Sequence, residues 1–163
     1  MCVSVYTGGK NNMIQDLIKL ENCVVLEGVA DWKEAIHKAL EPLVKDGCCT
    51  DEYEKAVLDM TAQIGPYYVL TDHMALIHAS SEAGVSKTQL ACTVLKKPVA
   101  FTEEKNDVRV LVALCATDST SHMDGIVAVS QIFGDEEKEA QMMNSTSAQE
   151  IYDLFISNAD AEE

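Results

Sequence analysis

Val108-Arg109-Val110-Leu111-Val112-Ala113-Leu114-Cys115-Ala116 decides the architecture. From Val110 to Cys115 no position is polar, so the segment lacks the alternation of a strand with one wet face and is expected to be a central strand covered on both sides. Three other short apolar runs, Tyr67 to Leu70, Met74 to Ile77 and Gln89 to Leu95, are bounded by turn residues and are expected to be further strands.

Helix signals lie on both sides of this middle. Asp31 forms a capping box with Glu34 ahead of Ala35, Ile36, Ala39, Leu40, Leu43 and Val44, and Gly47 closes the element. Thr50 caps the next helix, whose stripe is Ala56, Val57, Met60 and Ile64 and which Gly65-Pro66 ends. Downstream, Ser121 with Asp124 and Ser147 with Glu150 read as two more helix starts, with Gly134 a stop between them. Helices before and after four or five strands imply an α/β fold, a sheet packed between helical layers in three-layer α/β/α fashion, with strand order not legible from the pattern. The 163 residues are expected to form one domain, with only the acidic tail 158–163 disordered.

A formal charge of −15 with a single arginine, Arg109, repels phosphate backbones and anionic lipid heads, so neither nucleic acid nor membrane is an expected partner. No run approaches the roughly 18 apolar residues of a membrane span, and residues 1–10 lack a secretory pattern, so a soluble cytoplasmic protein is expected. The six cysteines are scattered without CxxC spacing and read as reduced, mostly small hydrophobes in apolar runs.

Four histidines can titrate near neutrality. His37 lies opposite the apolar stripe of its helix, on a solvated face. His73 and His78, five apart, would point to opposite faces of an unbroken strand and make poor partners for one metal, so no metal site is expected. His78 ends the run Met74 to Ile77 and precedes Ala79, Ser80 and Ser81, so the sheet can fix it while the hydroxyls and amides after it receive an anion. From position alone the reading to be preferred is a histidine that merely ends a strand and bonds a nearby carbonyl. His122 follows Ser121 at a helix start, a positive pole that favours anions and a neutral imidazole, although a histidine there can also be idle. GxSxG, HExxH, Walker and GxGxxG motifs are missing.

Ile64-Gly65-Pro66-Tyr67-Tyr68-Val69-Leu70, Met74-Ala75-Leu76-Ile77-His78-Ala79 and Glu82-Ala83-Gly84-Val85 together resemble the active-site region of type-2 EIIA domains of the bacterial sugar phosphotransferase system, the ascorbate-type branch most of all. Ala116-Thr117-Asp118-Ser119-Thr120-Ser121-His122 resembles the second histidine segment of that family, and Val94 to Val99 is also family-like. The resemblance runs from about Asp31 to Phe155. It implies a mixed sheet and a phosphotransferase without cofactor or metal. His78 would accept the phosphoryl group and His122 would stabilise it, with Ser80, Ser81 and Ser121 as further phosphoryl ligands. The implied donor is the carrier HPr, and the implied acceptor is a cysteine of an EIIB component working with a membrane EIIC, possible substrates including ascorbate-like acids. Apolar residues on the first helices would permit a homodimer. Ile77 replaces the proline usual before the active histidine, and Ser80-Ser81 replaces the Arg-Pro common in the ascorbate branch. A regulatory EIIA-like protein, or an interaction domain that no longer accepts phosphate, is the alternative.

Overall fold

The computed structural model describes residues 14–79 and 84–161, the side chains of 14–15 and 158–161 excepted. In chain order its elements are α1 (Ile14–Leu17), β1 (Ile18–Leu26), α2 (Trp32–Lys45), α3 (Asp51–Ile64), β2 (Met74–Ile77), β3 (Gln89–Val99), β4 (Val108–Cys115), α4 (Ser119–Phe133), α5 (Glu136–Met143) and α6 (Ala148–Ala161).

The four strands form one mixed sheet in the order β1-β3-β4-β2, parallel at both outer pairings and antiparallel between β3 and β4. The apolar run Val108–Cys115 is β4, an inner strand, and its side chains alternate between two cores. Val110, Val112 and Leu114 pack with Met74, Leu76, Cys92, Ile132 and Phe155, under α4 to α6. Leu111, Ala113 and Cys115 pack with Ile77, Ala91, Ile36, Leu40 and Val57, under α2 and α3. This is the expected three-layer α/β/α sandwich.

Local chemistry sets the helix ends. The Asp31 carboxylate accepts the Glu34 amide at 2.9 Å, while the Glu34 side chain reaches back one residue further than a regular capping box, to the Ala30 amide at 2.6 Å. Thr50 caps α3, and Gly65 ends it with φ 87°, a left-handed conformation open to glycine at little cost.

The structure corrects several expectations. Tyr67 to Leu70 is a turn followed by a single antiparallel bridge, Val69 to Ala75, because Gly65 and Pro66 turn the chain so that only one residue reaches register with β2. β1 has no counterpart in the sequence reading, since the polar Lys19, Glu21 and Asn22 interrupt its apolar pattern. α5 likewise has no counterpart in the sequence pattern, its acidic first turn hiding the helical period. The tail expected to be disordered instead continues α6 as far as Ala161, with 162–163 outside the described residues.

For the site, the parallel pairing of β2 with β4 matters most. Ile77 pairs with Ala113, so the carboxyl ends of the two strands lie side by side. His78 leaves one strand and the segment 116–118 leaves the other, leading directly into α4.

Candidate active site

His78 is the first residue past β2, half-buried, and its ring is held by its own strand: Nδ1 lies 2.6 Å from the Leu76 carbonyl oxygen. A carbonyl can only accept, so Nδ1 carries the proton and Nε2 keeps a free lone pair. Burial lowers the pKa of the ring below its ordinary 6.5, against the Leu76 bond, which raises it, and with the nearby imidazole of His122, which lowers it further. His78 is therefore neutral at neutral pH.

The second ring arrives from α4. The His78 and His122 centroids are 5.1 Å apart with planes tilted by 49°. Two features bring them together. Asp118 caps α4, accepting the Ser121 amide at 2.8 Å. One turn past His122 stands Gly125, buried against β4, where a Cβ would lie 2.6 Å from Leu114 Cδ1. The missing side chain allows the helix to lie close on the strand end.

Asp118 as the cap changes the reading of this helix start. Ser121 lies inside the helix, and its amide donates to the Asp118 carboxylate, a bond that holds this carboxyl below its ordinary pKa. His122 is the fourth helical residue, and its amide donates to the Asp118 carbonyl at 3.0 Å. Ser80 and Ser81 lie outside the described residues.

Two tyrosines that sequence reasoning left unassigned also belong here. The Tyr67 ring meets the His78 ring edge-on at 5.5 Å, and its hydroxyl donates to the His78 carbonyl at 2.6 Å. Tyr53, buried on α3, accepts the Ala79 amide at 3.0 Å and donates to the Leu114 carbonyl at 2.8 Å. The tyrosines were visible in the sequence, but their partners are 11, 26 and 61 residues away, beyond any local pattern.

The remaining histidines stand apart. His73, at the other end of β2, pairs with Asp107, its Nδ1 3.2 Å from both the backbone and a carboxylate oxygen. His37 faces Glu54 of α3, with Nδ1 3.1 Å from the carboxylate. Arg109 donates to the Leu95 and Met143 carbonyls, a structural role near His73. Among the described residues no group of three histidine, cysteine or acidic side chains could hold a metal ion.

A neutral imidazole with a free Nε2 lone pair beside a second imidazole can, chemically, accept a small anionic group. The family model described as "Phosphoenolpyruvate-dependent sugar phosphotransferase system, EIIA 2" matches residues 16–158. The chain belongs to this family. The ascorbate-specific EIIA component of Salmonella choleraesuis (strain SC-B67) is 33% identical over 145 residues, 87% of this chain and 94% of that protein. The solution structure of the mannitol-specific cryptic enzyme IIA of Escherichia coli is similar with a TM-score of 0.82 at 29% identity, over 88% of this chain and 97% of that one. The E. coli mannitol enzyme IIA, solved in complex with phosphorylated enzyme IIB, gives a TM-score of 0.73 at 27% identity, over 86% of this chain and 99% of that one. EIIA components take part in sugar phosphotransfer, so this chain is a member of a phosphotransferase family. No described helix is long and apolar enough to cross a membrane.

Proposed function

We propose that this EIIA chain is a phosphocarrier that accepts a phosphoryl group on Nε2 of His78 from phospho-HPr and passes it to an EIIB cysteine. The observation that carries the reading is the bond from His78 Nδ1 to the Leu76 carbonyl, which leaves Nε2 as the nucleophilic atom beside His122. In the first step the P–N bond of the donor breaks as the Nε2–P bond forms, and the donor histidine, protonated on its other nitrogen, leaves as neutral imidazole. His78 becomes a phosphoimidazolium whose Nδ1–H remains on Leu76, so the carbonyl offsets the new positive charge. His122 donates an N–H to the equatorial oxygens. In the second step a cysteine thiolate of EIIB forms an S–P bond, the Nε2–P bond breaks, and His78 returns to its neutral state.

The enzyme IIA relative solved with phosphorylated enzyme IIB supports an EIIB component as the acceptor, and the ascorbate-specific relative supports an ascorbate-like acid as the sugar class, with a membrane EIIC admitting it. Ser80 and Ser81 are further candidates for the phosphoryl oxygens. Ser121 is another through its hydroxyl, its amide being bonded to Asp118.

Incubation with phosphoenolpyruvate, Enzyme I and HPr, followed by intact mass, tests this. We expect one acid-labile phosphoryl group on the wild type, none on His78→Ala, and acceptance slowed about a hundredfold in His122→Ala. Wild-type protein that gains no mass overturns the reading.

A further inference from the structure

The two tyrosine hydroxyls at the site converge on one peptide group. Tyr67 donates to the carbonyl of His78, and Tyr53 accepts the amide hydrogen of Ala79, so the plane between residues 78 and 79 is gripped at its oxygen and at its nitrogen. The two come from different places. Tyr53 is buried on α3 and also holds the Leu114 carbonyl, tying the end of β2 to the end of β4. Tyr67 stands in the turn after Gly65, where the Leu76 amide donates to the Tyr68 carbonyl at 2.8 Å, so the same turn secures both the hydroxyl on His78 and the strand residue whose carbonyl receives Nδ1.

We infer that Tyr53 and Tyr67 are positioning residues for phosphoryl transfer, which clamp the His78–Ala79 peptide and thereby hold the imidazole in the Nδ1–H form with Nε2 directed at the incoming phosphorus. This inference rests on the proposed phosphocarrier role. A ring at a strand's mouth has few neighbours of its own, and its χ angles follow the backbone that carries it. Fixing the peptide plane fixes where the chain turns out of the sheet, and the edge-on Tyr67 ring limits the remaining ring rotation. Released, the plane can rotate, the Nδ1 bond to Leu76 lengthens, and the proton divides between the two nitrogens. Neither hydroxyl touches the phosphoryl group in this scheme, so loss of either should slow transfer without weakening the docking of the donor.

The test uses the full chain and two variants, with ¹⁵N imidazole shifts of unphosphorylated His78 and steady-state transfer from phospho-HPr as separate readouts. Wild type should show a single Nδ1–H tautomer. Tyr67→Phe keeps the ring and sits at a half-exposed position, so it should fold normally, show a mixture of tautomers, and lose about tenfold in kcat with KM for phospho-HPr unchanged. Tyr53→Phe should act in the same direction and, should it fail to fold, Tyr67→Phe alone decides. A Tyr67→Phe protein with the wild-type tautomer and rate overturns the clamp while leaving the carrier role standing. Wild type that takes no phosphoryl group overturns the carrier role and with it the transfer half of the inference, while the tautomer shift still reports whether the hydroxyls hold the ring.

Discussion

His78 shows how one side chain acquires its chemistry from its surroundings. Burial depresses its pKa below 6.5, so between that value and the lower folded one the unfolded chain binds a proton that the folded chain refuses. Stability contributed by this residue is therefore full above about pH 6.5 and declines as pH falls through the window below it. Denaturant titrations of His78→Gln should show a flatter pH dependence than wild type between neutrality and pH 5. The rate of phosphoryl acceptance should likewise stay level from pH 8 down to about 6.5 and fall only below, since attack needs the neutral ring. Both histidines were legible in the sequence because each follows an apolar strand at a place where the chain must emerge. The tyrosine grip was not, because a hydroxyl that bonds a peptide 26 residues away leaves no periodicity to read.

At the level of elements, the site depends on how closely α4 rests on β4. Gly125→Ala should raise helix propensity by about 1 kcal/mol, yet its Cβ would lie 2.6 Å from Cδ1 of the fully buried Leu114, which must then shift within the core. We expect the overpacking cost of about 1–3 kcal/mol to prevail, giving a net loss on chemical denaturation. Slower phosphoryl acceptance should accompany it as His122 is lifted from His78. The ends of α2 and α3 were readable because their caps are local, spanning two or three residues. The start of α4 was misplaced by three residues because Ser121 and Asp118 are both good caps, and the competition is decided by where β4 releases the chain. β1 escaped notice for a related reason, since an edge strand can keep polar residues that an inner strand would exclude.

Across the whole molecule, the sheet divides two cores, and the five cysteines among the described residues are distributed between them. Cys23 and Cys92 lie on one side and Cys48, Cys49 and Cys115 on the other, all free and buried. Burial raises the Cys23 thiol to about 12, and Cys92 also lies well above its ordinary value. A thiol reagent added to the native protein should therefore label Cys23 and Cys92 only after denaturation, and fast labelling of either would mean that its core opens readily. The three-layer arrangement was legible because one strand without polar residues requires cover on both faces. Strand order was not, because parallel and antiparallel partners draw on the same apolar positions.

The parallel union of β2 with β4 bears also on how the molecule comes into being. Met74 meets Val110 across 36 intervening steps of chain, and Tyr53 must find Leu114 across 61. Both are distant loop closures, whose entropy is spent before any contact rewards it. No early fragment of α2 and α3 contains the pair of imidazoles, so in a refolding experiment the capacity to carry phosphate should return with the slowest structural phase and never ahead of it.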